Sequence, residues 1–252
     1  MSTEFDFTSK VVLITGSSGG LGADMARQFA KRNAHVVVTG RNQEAVNRVA
    51  NECTALSPNK AEAFPFLADV TKIEQLTTLV DAVINKFGRL DVLINNAGGG
   101  AFSSIYDAKL LDTLDHMLEL DLKSVVALTQ LCVPHLEKNK GSIINISAVL
   151  AQRPNQHFMP YCVAKAALSM FSRCIALELG PKGIRINCVC PTAVRTKFQQ
   201  ASGGGAALDG IVSHLEEIIP LRRIATEENI SNAVLFLASD KSSFITGTDN
   251  SG

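Results

Sequence analysis

The feature that most constrains this chain is Val11-Val12-Leu13-Ile14-Thr15 running directly into Gly16-Ser17-Ser18-Gly19-Gly20-Leu21-Gly22. A short apolar, β-branched run closed by glycines fits a buried parallel strand that feeds a helix through a tight turn. Leu21, Met25 and Phe29 then recur four residues apart and mark the apolar face of that helix. Gly16, Gly20 and Gly22 let backbone approach a ligand where a Cβ would block it, and a helix start offers free N–H donors to an anion. The ligand predicted from this is a dinucleotide pyrophosphate. The spacing is G-x-x-x-G-x-G and not G-x-G-x-x-G, so the segment alone also fits a plain glycine-rich turn.

Strand-like and helix-like patterns alternate along the 252 residues, which predicts one α/β domain with a doubly wound parallel sheet. Strands are expected at His35–Thr39, Ala63–Leu67, Asp91–Ile94, Ser142–Ile146 and Ile184–Val189, with helices at 43–56, 73–87, 110–137, 158–180 and from Thr226 onward. The sheet order is expected to be 3-2-1-4-5-6. Phe244-Ile245-Thr246-Gly247 leads toward a seventh strand, but little apolar sequence follows, so that strand is expected to be short, missing or frayed. Ser202-Gly203-Gly204-Gly205 cannot hold a regular element well, so residues 192–221 read as a mobile lid. Its Phe198, Leu208, Ile211, Val212 and Leu215 suggest an apolar substrate or simply the packing of a lid helix.

Lys+Arg and Asp+Glu balance at 24 each, which argues against nucleic acid or a membrane surface as partner. The six cysteines form no C-x-x-C pair and share no ligand rhythm with the five histidines. They read as buried thiols in a reducing compartment, and no metal is expected. No apolar run reaches the ~18 residues that span a bilayer. The expected location is cytoplasmic. No formal charge lies between Ser124 and Leu136, and from Tyr161 to Gly180 only Lys165, Arg173 and Glu178 are charged. The pattern is that of helices buried on both faces, by their own sheet or by another subunit, which predicts homo-oligomerisation through the helices at 110–137 and 158–180.

Tyr161 and Lys165 stand four apart, on one face of a helix. The row continues through Leu168, Ile175 and Leu179. A lysine there either snorkels from a helix start or shares a buried patch with the phenol. In the second case its charge favours phenolate and lowers the tyrosine pKa, as carbonyl reduction or alcohol oxidation requires.

Together, Thr15-Gly-x-x-x-Gly20-x-Gly22, Asp69, Asn95-Asn96-Ala97-Gly98 and Tyr161-x-x-x-Lys165 resemble the short-chain dehydrogenases/reductases, over nearly the whole chain and in the expected order. The resemblance implies a Rossmann-type fold, a nicotinamide cofactor, Tyr161 as catalytic acid/base, and Lys165 binding the nicotinamide ribose while tuning the tyrosine. It further implies cofactor contacts at Gly16, Ser18, Gly20, Leu21, Gly22, Arg41, Asn42, Asp69, Val70, Asn95, Ala97, Gly98, Pro191, Val194 and Thr196. An acidic residue ending the second strand would hold a ribose 2′-OH. Here Gly40 stands at that point and Arg41 follows, so NADP(H) is favoured over NAD(H).

Three positions depart from the family pattern. Ala148 occupies the place of a substrate-binding serine, and the adjacent Ser147 replaces it only if the strand end bulges. Asp121 stands at a catalytic asparagine position and could pair with Lys165. Pro191-Thr192 replaces Pro-Gly. The expected function is interconversion of a small carbonyl compound and an alcohol. The alternative is a nucleotide-binding interaction protein with little turnover.

Overall fold

The computed structural model describes residues 5–194 and 215–251. Its strands are β1 (Val11–Ile14), β2 (His35–Gly40), β3 (Phe64–Leu67), β4 (Val92–Asn95), β5 (Ser142–Ile146), β6 (Arg185–Cys190) and β7 (Asp249–Ser251). All pair in parallel in the order β3-β2-β1-β4-β5-β6-β7. The helices are α1 (Gly20–Ala30), α2 (Gln43–Leu56), α3 (Ile73–Phe87), α4 (Leu110–Leu118), α5 (Ser124–Asn139), α6 (Met159–Leu179) and α7 (Glu227–Ala238).

The unbroken apolar runs follow from burial on both faces. Val12, Ile14, Val36 and Val38 point into a core with Met25 and Phe29 of α1 and Val234 of α7. Their neighbours Leu13 and Val37 point the other way, into a second core with Leu79 of α3, Leu128 of α5 and Leu179 of α6. The chain winds outward from β1 to β3 and then returns to β4 on β1's other side. Strand order thus reverses between β1 and β4, opening a crevice at their carboxyl ends.

Three expectations take more definite form in the structure. The helical region 110–137 is two helices, α4 and α5, joined by a π-type turn at Glu119–Lys123. The wider turn carries Asp121, which is 0 % exposed, and hydrophobic periodicity carries no signal for it. Second, β7 is present though short, and polar bonds hold it. Asn187 Oδ1 accepts from Thr248 N–H and Oγ1, and Asn250 Nδ2 donates to Cys188 O. A search for apolar residues overlooks such a strand. Third, within this single chain α5 and α6 are buried on one face, and the other apolar face is left open. Met170 is 52 % and Leu177 82 % exposed, beside half-open Val126 and Val163. Among the described residues no helix is long and apolar enough to cross a membrane.

Candidate active site and nucleotide cleft

The turn after β1 depends on close backbone contact. Gly16 has a φ of 64°, and a Cβ there would lie 2.9 Å from Ala97 Cα. A Cβ on Gly22 would lie 2.5 Å from both Asn96 Nδ2 and Gly16 O. Gly19 precedes α1 with no side chain capping the helix, and a Cβ on it would meet nothing within 4 Å. Open space beside an uncapped helix start fits a pyrophosphate.

Two residues outside the expected site hold this turn in place. Thr15 Oγ1 accepts from the backbone N–H of Asn96 at 3.0 Å and of Ala97 at 2.9 Å. Asn96 Nδ2 in return donates to Thr15 O at 2.9 Å and Gly16 O at 3.3 Å. The seam joins the ends of β1 and β4 across the crevice. A hydroxyl closing an apolar strand was the available signal for it.

Along the outer part of the crevice, Ser18 Oγ touches the place where a Cβ on Gly40 would sit. Position 40 is therefore closed to an acidic side chain in this arrangement. Arg41 next to it is exposed. Asn42 has a structural task as the N-cap of α2, its Oδ1 accepting from Ala45 N–H at 2.9 Å. Asp69 Oδ1 accepts from Thr71 N–H at 3.0 Å and Thr71 Oγ1 at 2.8 Å. The Thr71 backbone bond above all, with smaller help from the Arg41 charge, holds the Asp69 carboxyl below its ordinary range. Val70 beside it is half-buried.

Asn95 sits beneath the cleft and does not line it. Its Nδ2 donates to Asn145 Oδ1 at 2.8 Å, and Asn145 Nδ2 donates to Ser172 Oγ at 2.8 Å. Ala97 and Gly98 flank the crevice above this chain of amides. Leu21 packs partly against the core with Val194, and Pro191 O accepts from Val149 N–H. Thr196 and most of the expected lid, including its glycine cluster, lie outside the described residues.

Tyr161, Lys165 and Asp121 meet at the carboxyl ends of β4 and β5. Lys165 Nζ lies 2.9 Å from Asp121 Oδ1, donates to Ile146 O at 2.9 Å, and stands 5.7 Å from the Tyr161 ring centroid. The Asp121 oxygens accept from Gly99 N–H at 3.3 and 3.5 Å. A Cβ on Gly98 would run into Asp121 Oδ1 and lie 3.3 Å from Lys165 Nζ, so this corner admits only glycine.

The expected lowering of Tyr161 is overturned for the bare chain. Burial pushes the phenol above its ordinary value, the Lys165 ammonium pulls it back, and the Asp121 carboxylate pushes it up again. The pairing of Asp121 with Lys165 that the sequence allowed is present, and with the cost of burial it outweighs the ammonium's pull on the phenol. For Lys165, burial alone would favour loss of the proton. The charge of Asp121 leads the effects that outweigh it and hold the lysine above its ordinary range.

Ser147 does not replace the missing hydroxyl. Its N–H continues the ladder to Val189 O at 2.8 Å without a bulge. Its Oγ donates to Lys165 O at 3.3 Å and lies 3.1 Å from Ser169 Oγ, facing α6. Ala148 is buried and offers a methyl group. Sequence reasoning also missed an aromatic row beside Tyr161. Its ring centroid is 6.3 Å from that of Phe158, which is 4.1 Å from that of Phe102.

Residues 16–250 match the family model described as enoyl-(acyl carrier protein) reductase. This chain belongs to the short-chain dehydrogenase/reductase family. Among relatives of this short-chain dehydrogenase/reductase, 7alpha-hydroxysteroid dehydrogenase of Escherichia coli (strain K12) is 35 % identical over 239 residues, 94 % of this chain and 90 % of that protein. Meso-2,3-butanediol dehydrogenase of Serratia marcescens is 35 % identical over 243 residues, covering 96 % and 92 %. A solved structure of 7 alpha-hydroxysteroid dehydrogenase complexed with NADH and 7-oxo glycochenodeoxycholic acid superposes with a TM-score of 0.91. It is 33 % identical, and the match covers 98 % of this chain and 94 % of that one. The family places this chain among the oxidoreductases.

Proposed function

We propose that this short-chain dehydrogenase/reductase interconverts a carbonyl compound and an alcohol with NADP(H), using Tyr161 as acid/base and Lys165 beside it. The observation that carries the reading is the cluster of half-buried Tyr161 with buried Lys165 and Asp121, set against Gly98 at the end of β4, beside the Ala97 that Gly16 packs on. A nicotinamide held in the crevice would supply or accept the hydride. Backbone N–H groups at the start of α1 bind the pyrophosphate, Arg41 the 2′-phosphate, and Asp69 and Val70 the adenine. Lys165 holds the nicotinamide ribose, and Tyr161 gives a proton to the substrate oxygen or takes one from it.

The dehydrogenase relatives weigh against an interaction protein without turnover. Ala148 removes one donor to the substrate oxygen, a loss on the order of 10²–10³ in rate where such donors have been deleted. The Phe102–Phe158 row beside Tyr161 supports a substrate with an apolar body. The apolar faces of α5 and α6 support a homo-oligomer packed through them.

The test is NADPH oxidation with a panel of ketones, quinones and dicarbonyls. Turnover by the parent chain is expected. Tyr161→Phe should lose nearly all of it and still bind NADPH. A Tyr161→Phe protein that turns over like the parent would sink the assignment. Arg41→Ala should weaken NADPH roughly tenfold to a hundredfold, because a charge-assisted bond to phosphate is lost, and leave NADH nearly unchanged.

A further inference from the structure

Lys165 has three N–H donors. It gives two to Asp121 Oδ1 and Ile146 O, each at 2.9 Å. Asp121 is wholly buried and Lys165 nearly so, so solvent screens their attraction poorly. A buried ammonium beside a phenol stabilises the phenolate. A carboxylate in contact with that ammonium cancels much of the same field at the ring. Among the described residues, the charges and thiols that act on Tyr161 include Lys165 and Cys162 from α6, Asp121 from the π-type turn and Cys190 from the end of β6, with Asp249 of β7 acting on Cys190. The Lys165–Asp121 pair is the ion pair among them.

We propose that Asp121 is a positioning residue that neutralises Lys165 behind Tyr161, so that the tyrosine keeps its proton to higher pH and the site favours carbonyl reduction over alcohol oxidation. In reduction the carbonyl carbon gains the hydride and its oxygen takes the Tyr161 proton, leaving alcohol, phenolate and oxidised nicotinamide. Oxidation runs the same step backwards and needs the phenolate first. The proposal rests on Tyr161 as the acid/base group.

The chain has two tyrosines and no tryptophan, and the second, Tyr106, is 94 % exposed in a loop. In a Tyr106→Phe background, the ultraviolet absorbance of ionised phenol therefore reports Tyr161 alone. Adding Asp121→Asn, which keeps the shape and an oxygen acceptor for Gly99 N–H, should lower the Tyr161 titration midpoint by about one pH unit or more. Asp121→Ser should move it the same way if the asparagine variant folds poorly. The rising limb of alcohol oxidation should shift down in pH by the same amount, a gain of roughly tenfold near neutrality.

A midpoint that stays put or rises, with only thermal stability or kcat reduced, would show a structural aspartate and overturn the proposal. The absorbance titration does not depend on turnover. Full activity in Tyr161→Phe would overturn the acid/base assignment, and the titration would still report whether Asp121 acts on Tyr161.

Discussion

Gly22 and Thr15 show how single atoms shape the nucleotide turn. A methyl group on Gly22 would press on Asn96 Nδ2, Gly16 O and Ser17 Cα together, and two of those three atoms are backbone. Gly22→Ala should therefore abolish the thermal stabilisation that NADPH confers on the parent. Thr15→Ala would strip the acceptor from two backbone N–H groups. A cost of about 1–3 kcal/mol in denaturant unfolding is expected, since each group loses a partner away from bulk water. Ala148→Ser should raise turnover several-fold if its hydroxyl reaches the substrate oxygen. At this scale the placement of Tyr161 beside Lys165 and of the glycines at close backbone approaches was legible, because a lysine in an apolar row and clustered glycines are costly elsewhere. The pairing of Asp121 with Lys165 and the turning away of Ser147 without a bulge were also legible, whereas the direction of Asn95 was not, since it depends on which neighbour supplies the opposing polar atom.

Among elements, strands were the readable part. β5 spans the expected Ser142–Ile146, and the other central strands differ from expectation by a residue or so, because burial on both faces leaves a mostly apolar pattern bounded by turns. The start of α7 was also visible in Thr226-Glu227-Glu228. Thr226 Oγ1 accepts from Asn229 N–H at 3.3 Å and Asn229 Oδ1 accepts from Thr226 N–H at 3.1 Å. Loss of this reciprocal cap in Thr226→Ala should cost about 1 kcal/mol, measurable as a lower urea midpoint at unchanged slope. The widened turn between α4 and α5 escaped notice because one added residue shifts helical phase without changing composition. β7 was left open between short, missing and frayed for a different reason: at an edge, side-chain amides can replace buried hydrocarbon, and the short alternative is the one present.

For the whole molecule, the order of strands follows from the alternation of patterns, and its reversal between β1 and β4 puts every proposed catalytic group at one end of the sheet. What covers α5 and α6 does not follow from a single chain. Their apolar faces predict self-association, and Met170→Glu, which sets a charge where Met170 is half exposed, should shift sedimentation toward monomer with the fold intact. Sedimentation of the parent as monomer at micromolar concentration would refute that assembly.

The hydrogen-bonded seam between Thr15 and Asn96 has a thermodynamic corollary. Loop and turn are fastened to each other by the protein's own groups, so a nucleotide entering the crevice meets a rigid socket and freezes little polypeptide. Calorimetry of NADPH binding should then show a modest entropic penalty, and loosening the seam should enlarge that penalty before it erases the enthalpy.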